Sequence, residues 1–419
     1  MDTFRRLFFV ISLLGVLLFV AGLIDHLPVV MELSAIAVTT GIAIGLGGVP
    51  GLRGYQFTAW IVAAVTACLI YPERFLHLGT LDLRDKWLLL LTIQAVMFGM
   101  GTRMSLADFG AVALAPRGVI IGVALRFTVM PLAGLGLARM FHLPPEVAAG
   151  VVLLGSCSSG LSSNVMAYIA GANLALSIAV TAMTTLLAPV MTPLLMKLLA
   201  GSLVEVRFVD MMGEIMKIVI VPIGAAMIHD YLKHGTPGGR RIVWRLAAAG
   251  AAWLAYLAVF GTDRGAFKVL GFAAGTVVAG ALYNWLCARL PAVDRAMPAV
   301  SMAGIVYITS VTTAAGRDNL VQVGGILFAV SVIHNTIGYV LGYWLSRAAR
   351  LDRNSARSVA FEVGVQNGGM ASGLAAAMGK LSTVGLAPAI FSPWMNFSGS
   401  ILANHWGRRP QGEPAASDD

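Results

Sequence analysis

Apolar residues along this chain come in long blocks, separated by short clusters of Arg, Lys, Asp, Pro and Gly. A helix needs about 20 apolar residues to cross the hydrocarbon core of a bilayer. About fourteen stretches meet or approach that length: 6–25, 29–49, 55–71, 87–102, 117–137, 145–170, 174–200, 208–231, 242–261, 266–288, 297–315, 322–346, 357–379 and 388–406. They use about two thirds of the chain, so no soluble domain is expected. Two of the blocks are interrupted. Residues 155–168 read GSCSSGLSSNVMAY, with five serines and an asparagine between Gly155 and Asn164 where an apolar helix should continue. Residues 361–373 read FEVGVQNGGMASG and put Glu362, Gln366 and Asn367 at a comparable depth.

Such breaks have a physical meaning. Backbone N–H and C=O groups cannot stay unpaired in hydrocarbon, so an interrupted helix is tolerated only where protein or a water-filled cavity satisfies it. The half-helix that follows a break begins with free N–H groups and the positive end of its dipole, which suits an anion. The unwound carbonyls and nearby hydroxyls suit a hard cation. Small residues also let membrane helices approach closely, and that alone explains many Gly/Ser runs. Two breaks in corresponding places, one carrying a carboxylate, point instead to a transport site.

Composition narrows the picture further. The chain is 58% hydrophobic and only 12% charged over 419 residues, about half the charge of a soluble domain. The net charge of +9 does not indicate nucleic acid, because of where it falls. With the N-terminus inside and the spans alternating, most of the Lys and Arg lie on the inner side, including Arg5, Arg6, Arg240, Arg241, Arg245, Arg347, Arg350, Arg353 and Arg357. That bias predicts both termini in the cytoplasm, with anionic inner-leaflet lipid as partner of the basic loops. Cys68, Cys157 and Cys287 lack metal-ligand spacing and read as buried structural thiols. No Walker loop, Rossmann fingerprint or H-E-x-x-H is present, and Cys157 stands where a nucleophile elbow would need Ser. An enzyme is therefore not expected, nor ATP-driven transport by this chain alone.

Ionisable residues within the spans complete the reading. Glu362 and Gln366 would share a face if the backbone between them were helical. Arg126 lies nine residues past Arg117, too deep to snorkel, and needs a partner, for which Glu362 is the best candidate. An arginine there could equally hold a substrate carboxylate. Lys217 with Glu214 reads as an i,i+3 ion pair, Lys197 as a snorkelling residue, and His334, beside Asn335, as a hydrogen-bonded structural residue.

The run GSCSSGLSSNVMAYIAGANLALSIAVTAMTTLLAPVMTPLLMKLLAG, then IHNTIGY, FEVGVQNGGMASGLAAA and FSPWMNFSGS, resembles the bile acid:sodium symporter family, over residues 55–231 and 297–408. The resemblance implies an all-α polytopic membrane protein with a ten-helix inverted-repeat core and two crossing broken helices. Two additional helix pairs would lie outside it. The expected organisation is 1–51 an extra N-terminal pair, 52–234 the first repeat and start of the second, 235–296 an inserted pair, 297–408 the remainder of the second repeat, and 409–419 a disordered cytoplasmic tail.

By the same resemblance, one sodium site uses Ser163, Asn164, Ser177, Thr181 and Glu362. A second uses Glu362, Val363, Val365 and Gln366 with a residue of the third core helix, and here that residue is Arg126. A guanidinium there would stand in for the second ion and neutralise Glu362. Substrate contacts fall to Asn164, Asn367, Asn396, Leu161 and Met395. Leu161 and Met395 replace polar residues of the family, so a small organic anion such as a monocarboxylate is expected rather than a bile acid. The expected function is a secondary carrier in a bacterial inner membrane, coupled to Na⁺ through one site and without other cofactors. The alternatives are a Na⁺-independent or proton-coupled carrier, and a membrane sensor that keeps the fold without transport. Neither the substrate, the transport direction nor the oligomeric state follows from the sequence.

Overall fold

A computed structural model describes residues 3–49, 55–104, 116–260 and 265–408. The expected tail at 409–419 lies outside the described residues. Helices dominate, and the one sheet among the described residues is a two-stranded hairpin, His77–Leu78 with Leu81–Asp82. Each apolar stretch marked in the sequence coincides with a helix or a pair of helices. Among the described residues, nine helices are long and apolar enough to cross a membrane. Gln56–Ile70, Lys86–Gly101 and Pro145–Ser156 are apolar but shorter.

The helices sort by what they pack against. Gln56–Ile70, Lys86–Gly101, Pro291–Ala315 and the continuous run Phe208–His234 form one group. Pro116–Met140, Leu174–Leu195, Arg317–Ala348 and Leu386–Gly407 surround the two interrupted spans in a second. Thr3–Ile24 and Pro28–Leu46 pack on each other and then on Gln56–Ile70, tied by Gln56 Nε2 donating to the Ala43 carbonyl at 3.1 Å. Pro237–Phe260 and Gly265–Arg289 likewise pair and lie along Val221–His234. Gly280 lets them approach: a Cβ there would sit 2.5 Å from the Ala225 carbonyl oxygen. Both pairs keep much of their apolar surface outward, including Leu13, Leu17, Val259 and Phe260, as a lipid-facing surface does.

Both interruptions exist, with identifiable local causes. Helix Pro145–Ser156 opens on proline and stops where Cys157 turns extended (φ −74°, ψ 165°); Ser162–Ile169 follows. Helix Arg353–Gly364 is capped by Asp352, whose carboxylate accepts the N–H groups of Asn354 and Ser355 at 2.9 and 3.0 Å. It stops where Val365 turns extended (φ −102°, ψ 114°). Gly368–Ala377 then starts at Asn367, which caps it by accepting the Met370 N–H at 2.9 Å. Because the second helix ends at Gly364, Glu362 and Gln366 do not share a helical face.

Two further irregularities were not expected. The spans over 174–200 and 208–234 each contain one π-helical turn, Met196–Ala200 and Met216–Ile220. The second holds Lys217, whose carbonyl accepts Gln94 Nε2 at 3.0 Å across the helix interface.

Candidate functional site

The two extended breaks meet in mid-bundle and pair as a minimal antiparallel bridge, Ser159 opposite Gln366. Gly160 N–H donates to the Val365 carbonyl at 3.1 Å, and Asn367 N–H to the Ser158 carbonyl at 3.0 Å. Each break thereby satisfies part of the other's backbone, as hydrocarbon demands. Only glycine fits at 160, because a Cβ there would lie 2.7 Å from the Gln366 carbonyl oxygen.

Arg126 completes this accounting. Its side chain is fully buried. Nη2 donates to the carbonyls of Cys157 at 2.7 Å and Ser158 at 3.1 Å, and Nη1 to that of Val363 at 3.1 Å. The expected hydrogen-bonded pairing with Glu362 is thus absent. The guanidinium is a fork of rigid donors, and it binds carbonyls freed at both breaks, sharing that of Ser158 with the Asn367 N–H. Gln366 Nε2 also donates to Val363 O, at 3.2 Å. That bond fixes the amide and leaves the buried Gln366 Oε1 without a protein partner.

The carboxylate of Glu362 is fully buried and points the other way, toward hydroxyls. Oε1 accepts from Ser163 and Ser177, each at 2.6 Å, and Oε2 from Thr181 at 2.9 Å. Each of these hydroxyls lies near a second oxygen as well. Ser163 Oγ is 2.7 Å from Gly160 O, while Ser177 Oγ and Thr181 Oγ1 are 2.8 and 3.3 Å from Asn164 Oδ1. Three hydroxyls own three protons, and six oxygen–oxygen contacts compete for them. With the carboxyl ionised, the cluster is rich in hard oxygen ligands and short of protons, a set that could hold an alkali cation. All five residues expected at the first sodium site come together here.

Four of the five expected substrate contacts face elsewhere. Leu161, Asn367, Met395 and Asn396 line a cavity of about 230 Å³ with Gln366 and Ser162. Asn164 is not among its lining residues, because its amide oxygen faces the carboxylate cluster. Met395 has a second role, its sulfur accepting the Gln366 N–H at 3.2 Å. A separate groove of about 430 Å³ runs along the same helices, lined by Ile93, Gly373, Ala377 and the charged Arg84, Lys86 and Lys217. Cavity and groove are divided where Met97 packs on Gly369 and Ile93 on Gly373.

The other ionisable residues have simple partners. Lys217 pairs with Glu214 at 2.5 Å, as its spacing indicates, and Lys197 is exposed. His334 Nε2 lies 3.0 Å from the Met130 carbonyl, a structural contact. Asn335 Nδ2 donates to the Gly364 carbonyl at 2.8 Å and so supports the second break. At the groove mouth Arg84 hydrogen-bonds to Asp82 and holds that carboxyl below its usual range, at about 2.

Sequence reasoning missed Ser159 and Thr184. Ser159 Oγ donates to the Glu362 carbonyl at 2.8 Å, and Thr184 Oγ1 accepts the Ser159 N–H at 3.4 Å. Ser159 stands in a run of serines with nothing to single it out. Thr184 lies three residues past Thr181, on the same helix face, and that periodicity could have marked it.

Interrupted helices crossing around a buried carboxylate, inside a bundle of apolar helices, define an integral membrane protein of the transporter class. A family model for the Sodium Bile acid symporter family matches residues 90–262. A sodium-dependent transporter of Bacillus subtilis (strain 168) is 33% identical to this chain, over 87% of this chain and 94% of the relative. A chloroplastic probable sodium/metabolite cotransporter of Oryza sativa subsp. japonica is 26% identical, over 84% and 73%. The ileal sodium/bile acid cotransporter of Homo sapiens is 26% identical, over 73% of each chain. The chain belongs to the Sodium Bile acid symporter family.

Proposed function

We propose that this protein is a sodium-coupled secondary carrier of a small organic anion in a bacterial inner membrane. The observation that carries the reading is the Glu362 cluster, where three hydroxyls are shared among six oxygen contacts. A sodium ion held by Ser163, Asn164, Ser177, Thr181 and Glu362 would relieve that crowding. The sodium dependence named for the Bacillus and human relatives supports the same assignment.

Arg126 takes the place of a second ion in this reading. Its guanidinium already lies on the carbonyls of Cys157, Ser158 and Val363. A further cation among those carbonyls would be repelled by about 4 kcal/mol at 4 Å for an effective dielectric of 20. Coupling is therefore to one Na⁺. The substrate lies in the cavity beside the crossing, whose volume of about 230 Å³ is below that of most drug-sized sites. The start of helix Gly368–Ala377 borders that cavity and favours a carboxylate. Gln366 Oε1 would accept a hydroxyl or amide proton from the same molecule. The Met97·Gly369 and Ile93·Gly373 contacts are the barrier that must part for exchange between cavity and outer groove.

Thermal stabilisation of the purified protein by a panel of small carboxylates, in NaCl and in choline chloride, tests the assignment. Stabilisation by an acid should require Na⁺ in the wild type and be lost in Glu362→Gln. Stabilisation equal in both salts would overturn sodium coupling. In Arg126→Gln the dependence on Na⁺ concentration should steepen as a second ion enters. Loss of acid binding with no change in the Na⁺ response would instead assign Arg126 to the substrate.

A further inference from the structure

Away from the crossing, three helix ends meet beside the inserted pair: the end of Val221–His234, the end of Gly265–Arg289 and the start of Pro291–Ala315. There His229, Cys287 and Asp294 come together, with one ligand atom from each lying within 4.8 Å of the others. His229 Nε2 and Asp294 Oδ1 are 3.7 Å apart. His229 is 3% exposed, and its Nε2 has no hydrogen-bond partner. The ring of Tyr283 meets that of His229 edge-on, and its hydroxyl is buried beside Cys287. A buried imidazole nitrogen without a hydrogen bond is a cost that a ligand would remove.

We propose that His229 Nε2, Cys287 Sγ and Asp294 Oδ1 form a binding site for a transition-metal cation of the zinc class. One imidazole, one thiolate and one carboxylate are borderline-soft to hard ligands that suit zinc and its neighbours better than Na⁺, Mg²⁺ or Ca²⁺. Bond lengths of about 2.0–2.3 Å set ligand–ligand separations of about 3.3–3.7 Å in a tetrahedron. The histidine–carboxylate separation already fits. The widest gap closes with about 1 Å of side-chain movement, and the fourth position falls to water or the Tyr283 hydroxyl.

The surroundings supply the outer partners such a site needs. Lys233 Nζ binds the other carboxylate oxygen of Asp294 at 2.8 Å and leaves Oδ1 free. The Asn284 amide lies 3.3 Å from His229 Nδ1. Turned oxygen-inward, that amide accepts the Nδ1 proton and leaves Nε2 bare for the metal. Metal binding displaces the thiol proton to solvent, which is reached past the half-buried Asp294. Cys287 and Asp294 both belong to the inserted stretch 235–296, whereas His229 precedes it. A metal here would staple the insertion to the transporter helix it leans on.

The test uses the tag-free, detergent-purified full chain and Co²⁺ as a spectroscopic stand-in for Zn²⁺. One equivalent of Co²⁺ should develop a thiolate-to-cobalt charge-transfer band with intense tetrahedral ligand-field absorption, and one equivalent of Zn²⁺ should abolish both. Cys287→Ser should remove the charge-transfer band, Cys68→Ser should keep it, and Asp294→Asn should weaken Zn²⁺ at least about tenfold. Absence of the band in the wild type overturns the proposal without any variant. So does a band that survives Cys287→Ser or vanishes with Cys68→Ser. If Cys287→Ser does not fold, Asp294→Asn decides, and unchanged Zn²⁺ affinity there overturns the site.

Discussion

Glu362 and Arg126 are opposite charges buried in one crossing, yet each is occupied by neutral groups. The carboxylate takes hydroxyl protons and the guanidinium takes carbonyl lone pairs. Their substitutions should therefore behave differently. Glu362→Gln keeps the size and one acceptor oxygen, so the protein should fold while losing its response to Na⁺. Arg126→Leu strips donors from the carbonyls of Cys157, Ser158 and Val363. Ser158 O keeps the Asn367 N–H and Val363 O keeps Gln366 Nε2, so the Cys157 carbonyl is the one left orphaned, and a loss of about 1–3 kcal/mol is expected, read as a fall in the thermal midpoint in choline chloride. Arg126→Lys should recover part of it, because an ammonium donates to some of the same carbonyls. The presence of both residues at membrane depth was legible in the sequence. The partners of Arg126 were not, because a buried charge can be met by a counter-charge or by dipoles, and only the path of the backbone decides which.

At the scale of elements, the two breaks depend on each other. Gly160→Ala would press a methyl into the Gln366 carbonyl, 2.7 Å away. Overpacking of this kind costs about 1–3 kcal/mol, and the strain falls on both crossing segments. Uptake in proteoliposomes should fall more than the amount of folded protein, since the Glu362 cluster is built on the same crossing. Asn367→Ala removes the cap of Gly368–Ala377 and should cost about 1 kcal/mol. Urea or thermal unfolding in detergent measures it against Asp352→Ala, which removes the cap of the preceding half-helix. Existence of the breaks followed from composition, because serines, glycines and amides cannot continue an apolar helix without purpose. Their ends did not follow. Helix Arg353–Gly364 stops before Gln366, which turned that side chain away from Glu362 and into the cavity wall.

For the whole molecule, the basic loops predict an orientation. A fluorescent protein that matures only in the cytoplasm, fused after residue 419, should fluoresce, and a periplasm-dependent phosphatase at the same point should stay inactive. The opposite pattern would invert every assignment of inner and outer made from the charges. The added helix pairs lie against Gln56–Ile70 and Val221–His234. The division between cavity and groove is likewise a property of the assembled helices. Ile93, Met97, Gly369 and Gly373 belong to two helices far apart in sequence.

Through the family resemblance the sequence pointed to the oxygen groups around Glu362; by itself it determined the apolar spans and the two interruptions. Each of these follows from local composition: hydrocarbon selects long apolar runs, and it rejects unpaired backbone and charge. Tertiary structure alone decided which groups meet. It put Arg126 on carbonyls, turned Asn164 toward the carboxylate, opened a cavity against Met395 and Asn396, and brought Cys287 beside His229 and Asp294. The cysteine shows why. His229 and Cys287 are 58 residues apart with no metal-ligand spacing between them. Their proximity comes from two helices that return along a third, and contacts made by a returning chain leave no periodicity in the sequence.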